Sequence, residues 1–295
     1  MSKIYIGSCS WADKSLIESG NFYPEFAKDS ESRLKYYSSV FNCVEVDSSF
    51  YAIPSEKNSQ LWVERTPADF IFNVKAFGAM TGHSISVKSL PADLRKSISI
   101  KAGDRLFINE KAILFEIFNL FKKAIEPIKV AGKLGIVVFQ YPPWFQNSER
   151  SKTNILFAKE KMDGFPIGVE FRNRSWLDES GRADTLKFLR DNGITYIISD
   201  APQVVSEKTV QYYVDNTSDI AYFRFHGRNT ENWLKRGVDA SLRYDYEYCE
   251  DELKGFADDI NLIKGRVKKL FAMFNNHRGS QAVRNALSLK RILLH

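Results

Sequence analysis

The run YFRFHGRN at residues 222–229 interleaves an arginine and a histidine with aromatic side chains. In an extended strand Tyr222, Arg224 and His226 share one face, and charged groups are rarely buried without partners. Similar pairs recur along the chain: Glu45, Asp47 and Ser49; Asn73 and Lys75; Glu170 and Arg172; then Gln140, Asp200, and Asn275, Asn276 and His277. These are residue types for acid–base chemistry, with His226 as proton carrier and Glu45 or Glu170 orienting it. Glu45, Glu170, Asp200, His226 and His277 are also the ligand types of zinc or manganese, so a divalent metal is a possible cofactor. Against a metal, the chain has no HxH or HExxH pair, and Arg172 and Arg224 would repel a cation. Lys75, near a strand end, is a candidate for Schiff-base chemistry with a carbonyl substrate, or for pairing with a carboxylate.

A second group of residues suits an anion. In NNHRGSQAV, Gly279 and Ser280 open a helix beside Asn276 and Arg278, and helix starts bind phosphate through free backbone N–H groups. Gly227, Arg228 and Asn229 are expected to close over the same group. Trp11 and Tyr51, together with Phe50, Trp144 and Trp176, fall in loops, where aromatic rings suit stacking on a sugar or a nucleobase. For Trp176 a place in the core is an equal reading. His83 lies in a long loop, where with Thr81 it either reaches the site or faces solvent.

Eight short β-branched and aromatic runs must position these groups, at residues 3–9, 43–50, 70–76, 135–141, 167–172, 195–200, 220–227 and 270–277. Between them are stretches with helical spacing: Leu34, Tyr37 and Phe41; Ala112 to Phe121; Leu186 and Leu189 before Gly193; Phe256, Ile260 and Ile263; and Ala282 to Leu293. Strands alternating with helices point to an α/β fold, a single (β/α)8 TIM barrel with a long insertion after the third strand, at residues 78–103. An open dinucleotide-binding sheet is disfavoured, because no GxGxxG follows the first strand. Nearly every polar residue named above lies in the C-terminal half of its strand, the end at which barrels place active sites. A satisfied ion-pair network inside the barrel is the competing reading for any one residue.

The chain has 295 residues, 44% hydrophobic, with 42 Lys and Arg against 36 Asp and Glu. That length fits one barrel domain spanning 1–295. The net charge of +6 mildly favours anionic partners, either a small phosphate-bearing ligand or nucleic acid. No run is apolar enough for a membrane span, so no membrane partner is expected. Cys9, Cys43 and Cys249 follow no CxxC spacing, and no secretory leader is evident, which points to free thiols and a cytoplasmic location.

Seven segments in order carry a resemblance: IGSCSWADKSLIESGNFYP, FNCVEVDSSFY, FIFNVKAFGAMTGH, LGIVVFQYPPWF, VEFRNRSWL, YFRFHGRN and FNNHRGSQAVRNAL. Together they resemble the YecE-like family, domain of unknown function 72, over essentially the whole chain. The sequence departs from many relatives at Ser10-Trp11-Ala12. The resemblance implies a TIM barrel and no established reaction. From the residues, the expected activity is that of an enzyme acting on a phosphate-bearing substrate, such as a phosphoester hydrolase. The alternatives are a nucleotide or single-stranded nucleic-acid binding protein, and carbonyl chemistry at Lys75.

Overall fold

The computed structural model describes residues 2–96, 105–203, 209–233, 235, 237 and 240–294. Ten strands occur among them: β1 (Lys3–Ser8), β2 (Cys43–Val46), β3 (Ile71–Lys75), β4 (Ile85–Ser86), β5 (Arg105–Leu106), β6 (Leu134–Gln140), β7 (Ile167–Glu170), β8 (Thr195–Asp200), β9 (Ile220–Phe225) and β10 (Lys269–Phe274). Eight of them form one parallel sheet in the order β1-β10-β9-β8-β7-β6-β3-β2. The short pair β4 and β5 forms an antiparallel hairpin within the insertion after β3. Every expected strand is present, and all but β8 are shorter at the C-terminal end. The reason at β2 is local: Asp47–Phe50 turns into a 3-10 helix, with the Ser49 hydroxyl donating to the Val46 and Lys75 carbonyls at 2.6 Å each.

Alternation along the strands separates two apolar layers. One face packs inside the barrel and includes Tyr5, Ile71, Ile136, Tyr222, Phe271 and Met273. The other face, with Val44, Val74, Phe139, Val169, Phe223 and Phe274, packs against the surrounding helices. The five helices expected from periodicity are present, together with Glu56–Glu64 and Glu149–Lys161. Those two begin at Ser55 and Ser148, whose hydroxyls accept from the backbone N–H groups of Asn58 and Ser151. Between β8 and β9 no helix occurs among the described residues, a departure from eight regular units. The insertion holds a 3-10 turn at Gly78–Thr81, the hairpin and a short helix Ala92–Lys96; its expected portion 97–103 lies outside the described residues.

Side chains bind the seam between β1 and β2. The Ile6 N–H donates to Asn42 Oδ1, and Asn42 Nδ2 donates to the Ile4 carbonyl, both at 3.0 Å. The hydroxyl of buried Tyr37 accepts from the Ser8 N–H at 2.8 Å and donates to the Cys43 carbonyl at 3.3 Å. Gly7 permits this approach, since a Cβ there would lie 2.2 Å from the Cys43 carbonyl oxygen. All three cysteines are free thiols, and among the described residues no helix is long and apolar enough to cross a membrane.

Asn42→Ala removes both of its seam hydrogen bonds and orphans two strand backbone groups. The expected cost is about 2 kcal/mol, read as a lower urea midpoint at unchanged slope. An unchanged midpoint would show that the seam is held by packing alone.

Candidate functional site

At the C-terminal end of the barrel, the interior face turns from apolar to charged. Arg224, on β9, is fully buried there. Its Nη2 donates to Glu45 Oε1 at 2.7 Å, and its Nη1 donates to Glu170 Oε2 and, at 2.9 Å, to Gln140 Oε1. One guanidinium therefore joins residues of β2, β6 and β7 across the barrel. The second Glu45 oxygen accepts from the Tyr222 hydroxyl at 2.7 Å. Arg172 forms an ion pair with Glu170, and its Nη2 donates to Gln140 Oε1 at 3.2 Å.

The two glutamates have opposite proton affinities. Burial raises the Glu45 carboxyl above its usual range despite the Arg224 charge. Burial acts the same way on Glu170, but Arg172 and Arg224 outweigh it and hold that carboxyl well below its usual range.

His226 is fully buried beside them. Its Nε2 lies 3.2 Å from Glu170 Oε1, and its Nδ1 lies 2.8 Å from Asn275 Nδ2. An ionised carboxylate only accepts, so Nε2 carries the proton and Nδ1 accepts from Asn275. Arg172 Nη2, which can only donate, lies 3.0 Å from the same Nε2 and so crowds the protonated nitrogen without a hydrogen bond to it. Burial, then the Arg172 charge, push the His226 pKa down to about 3. This neutral, clamped imidazole does not suit the proton-carrier role expected of it at neutral pH.

Nearer solvent, the buried Lys75 ammonium donates to the half-buried Asp47 at 2.7 Å and lies 4.7 Å from the Phe50 ring centroid. Burial opposes the lysine's charge, yet Asp47 keeps Lys75 above the usual lysine range. Asp47, which burial would raise, is held below its range by Lys75 and then Arg224. A Lys75 whose charge is stabilised in this way does not suit Schiff-base chemistry, which needs the neutral amine.

His277 stands at the same mouth, half-buried, its ring 4.8 Å from that of Tyr244. Its Nδ1 lies 2.9 Å from the Asn275 carbonyl oxygen. A carbonyl only accepts, so Nδ1 carries a proton, and in the neutral ring Nε2 is the acceptor. Tyr51 is 65% exposed at the rim. Trp233 covers the Arg172 guanidinium, 5.4 Å from ring centroid to Cζ, and meets Tyr244 edge-on.

Other expected site residues are engaged elsewhere. Arg228 pairs with Asp200 through three hydrogen bonds of 2.8–3.1 Å and with Glu252 at 2.9 Å, and the Tyr248 hydroxyl donates to Asp200 at 2.7 Å. Asp200 therefore anchors the segment after β9 and lies apart from Glu45 and Glu170. Among the described residues no three His, Cys, Asp or Glu side chains gather to hold a metal, because arginines separate the carboxylates. The two loops of the expected phosphate corner do meet, through the Arg278–Asp245 ion pair and the Tyr246 N–H to Gln281 Oε1 at 3.2 Å. Their charges are spent within the protein. The Gly279 N–H donates to Ser15 Oγ at 3.0 Å, Ser280 Oγ accepts from Arg284, and Asn276 Nδ2 donates to Tyr246 O and Asn285 Oδ1. Trp11 is buried edge-on against Trp62, so its ring is core and offers no stacking face. Trp176 is likewise buried, stacked on Phe171.

Trp233 and Tyr244 were not anticipated. The surrounding sequence lacks periodicity, although the alternating YDYEY at 244–248 is a signal of extended chain.

The family model described as "Protein of unknown function DUF72" matches residues 5–295. The chain belongs to the DUF72 family. Bacillus subtilis (strain 168) has a relative, UPF0759 protein YunF, 33% identical, covering 98% of this chain and 94% of that one. A crystal structure of a DUF72 family protein from Thermotoga maritima MSB8 superposes with a TM-score of 0.79 at 30% identity, covering 99% of this chain and 100% of that one. A second, from Enterococcus faecalis V583, also gives 0.79, at 23% identity over 99% of this chain and 96% of that one. The barrel is thus shared across the family. No activity is attached to DUF72, and none of these comparisons supports the expectation of a phosphoester hydrolase.

Removing one partner of the central network leaves buried charge uncompensated. Arg224→Met is expected to cost about 3–5 kcal/mol, measured by denaturant unfolding. For pH, Glu170 contributes stability that is complete above about 4.5 and lost as pH falls through its depressed folded value. His226 binds its proton less readily folded than unfolded, so its contribution is complete above 6.5 and declines as pH falls towards 3. His226→Gln should therefore flatten the fall in stability between pH 6.5 and 4.5, where Glu170 does not yet titrate. An unchanged slope would show that the imidazole is not held neutral.

Proposed function

We propose that this DUF72 protein is an enzyme that performs acid–base chemistry on a small anionic substrate at the C-terminal mouth of its barrel. The observation that carries this reading is the tautomer of His277, whose Nδ1–H is tied to the Asn275 carbonyl at 2.9 Å. An imidazole oriented in this way presents Nε2 as a proton acceptor, as in enzymes that fix a general base by a hydrogen bond to its other nitrogen. His277 thus takes the role expected of His226.

Donors at the mouth support an anion. Lys75, Arg172 and Arg224 face three carboxylates, Glu45, Asp47 and Glu170, so the charges balance in number. The anion reading rests instead on unspent donors: among the described residues the Lys75 ammonium, with three hydrogens, donates to Asp47 alone. Lys75 and Arg172 are the anion contacts in this reading, because Arg224 is sealed beneath them. The phosphate-bearing substrate expected from sequence remains within this class, with its anion at the centre of the mouth and away from the Arg228–Arg278 corner.

A nucleic-acid binding reading would draw on the basic residues Lys264, Arg266, Lys268 and Lys269. These precede or begin β10, at the opposite end of the barrel from the mouth.

The test is an activity screen of the wild-type protein against small carboxylates and phosphomonoesters, followed by His277→Gln on any substrate found. Turnover should fall about 100- to 10,000-fold with the melting temperature little changed. A loss smaller than about threefold would remove His277 from the chemistry.

A further inference from the structure

One polar group at the mouth has no part in that reading: His83, delivered by the insertion after β3. Gly82, at φ 76°, ends the 3-10 turn Gly78–Thr81 in the left-handed region, and the next N–H, that of His83, donates back to the Gly78 carbonyl at 3.0 Å. The ring is half-buried and packs edge-on against Phe50 at 4.9 Å between centroids. Phe50 is the same ring that carries the Lys75 ammonium, so one aromatic side chain separates His83 from the proposed anion contact. On the following residue, Ser84, Arg105 of the hairpin donates to the hydroxyl at 3.2 Å and to the carbonyl. The imidazole is therefore held by backbone, hairpin and ring packing together.

Its tautomer follows from Thr81. The Thr81 hydroxyl donates to the Gly78 carbonyl at 3.1 Å, so its oxygen accepts from His83 Nδ1–H at 2.8 Å. Nε2 is left as an acceptor. Burial, then the charges of Lys75 and Arg172, lower the His83 pKa to about 4, so the ring stays neutral at physiological pH. A neutral imidazole among cations attracts no anion of its own; it complements a hydrogen-bond donor such as a hydroxyl. Around it, Tyr51 and Trp144 are 65% and 60% exposed, and the Trp144 ring would lie 3.3 Å from a Cβ at Gly82. Exposed aromatic faces beside polar groups suit the C–H faces of a polyhydroxylated molecule.

We infer that His83 is a specificity-determining residue that accepts a hydrogen bond from a substrate hydroxyl, so that the substrate class is a hydroxylated anion, either a sugar acid or a sugar phosphate. This rests on the reading of the mouth as an anion site. A site built to bond a hydroxyl discriminates strongly against the analogue that lacks it, because its acceptor is then left unpaired.

Isothermal titration with two matched pairs tests it: gluconate against hexanoate for a carboxylate, and glucose 6-phosphate against hexyl phosphate for a phosphate. The wild-type protein should bind the hydroxylated member at least ~10-fold more tightly in one pair, which identifies the anion. His83→Phe, which keeps a ring against Phe50, should abolish that preference, and His83→Gln, which keeps an acceptor, should retain it to within about threefold. No preference in either pair, or a preference that survives in His83→Phe, overturns the inference. The underlying anion reading is overturned separately, if Lys75→Met and Arg172→Met leave binding of the preferred ligand unchanged. If the wild-type protein binds none of the four compounds, both are overturned.

Discussion

Arg224 is the group around which the mouth of this barrel is built. A guanidinium with no solvent exposure must find its compensation inside the protein, and Arg224 finds it in Glu45 and Glu170, on strands that are not its neighbours in the sheet. The two carboxylates face the cation from β2 and β7, so their strands are held in a fixed stagger about β9. Gln140 accepts from the guanidinium and the Tyr222 hydroxyl donates to Glu45, while the buried Arg224 Nε has no hydrogen-bond partner among the described residues. Such a network stabilises less than an apolar core of the same volume would. Its retention at the C-terminal end, above an otherwise apolar interior, is an argument that charge is needed there.

Above that floor the polar groups are graded by accessibility. Glu45, Glu170, Arg224 and His226 are sealed; Lys75 and Arg172 are largely covered; Asp47, His83 and His277 are half-buried; and Tyr51 faces solvent. The three imidazoles differ in what holds them. His226 is clamped between Glu170 and Asn275, which occupies both ring nitrogens. Among the described residues His83 and His277 are hydrogen-bonded at Nδ1 alone, by Thr81 and by the Asn275 carbonyl, which leaves Nε2 as the acceptor of the neutral ring. A hydrogen bond to one ring nitrogen determines what the other can do.

The polar residues drawn away from the mouth have a structural task. Asp200 at the end of β8, Arg228, Tyr248 and Glu252 tie the segment after β9 to the helix Glu250–Lys264. Asn229 adds hydrogen bonds to the Leu242 and Asp245 carbonyls. This segment carries Trp233 and Tyr244 to the site, so the cluster acts on the mouth through the aromatic residues it supports.

The sequence by itself determined the eight barrel strands, because β-branched and aromatic runs of this length have few other fates. It also determined which strand residues face inward. Period-two alternation puts Glu45, Lys75, Glu170 and Arg224 on the interior face whatever the details of packing. The helices Glu56–Glu64 and Glu149–Lys161 are hard to read from sequence because their buried faces hold few apolar residues and their starts depend on Ser55 and Ser148. Only the tertiary structure decided partnership. Whether Arg228 meets a ligand or Asp200, whether Trp11 faces the site or Trp62, and which histidine keeps a free nitrogen all depend on contacts between residues distant in the chain. Those contacts are set by the stagger of the barrel and the paths of its loops, and the side-chain pattern of a single strand contains neither.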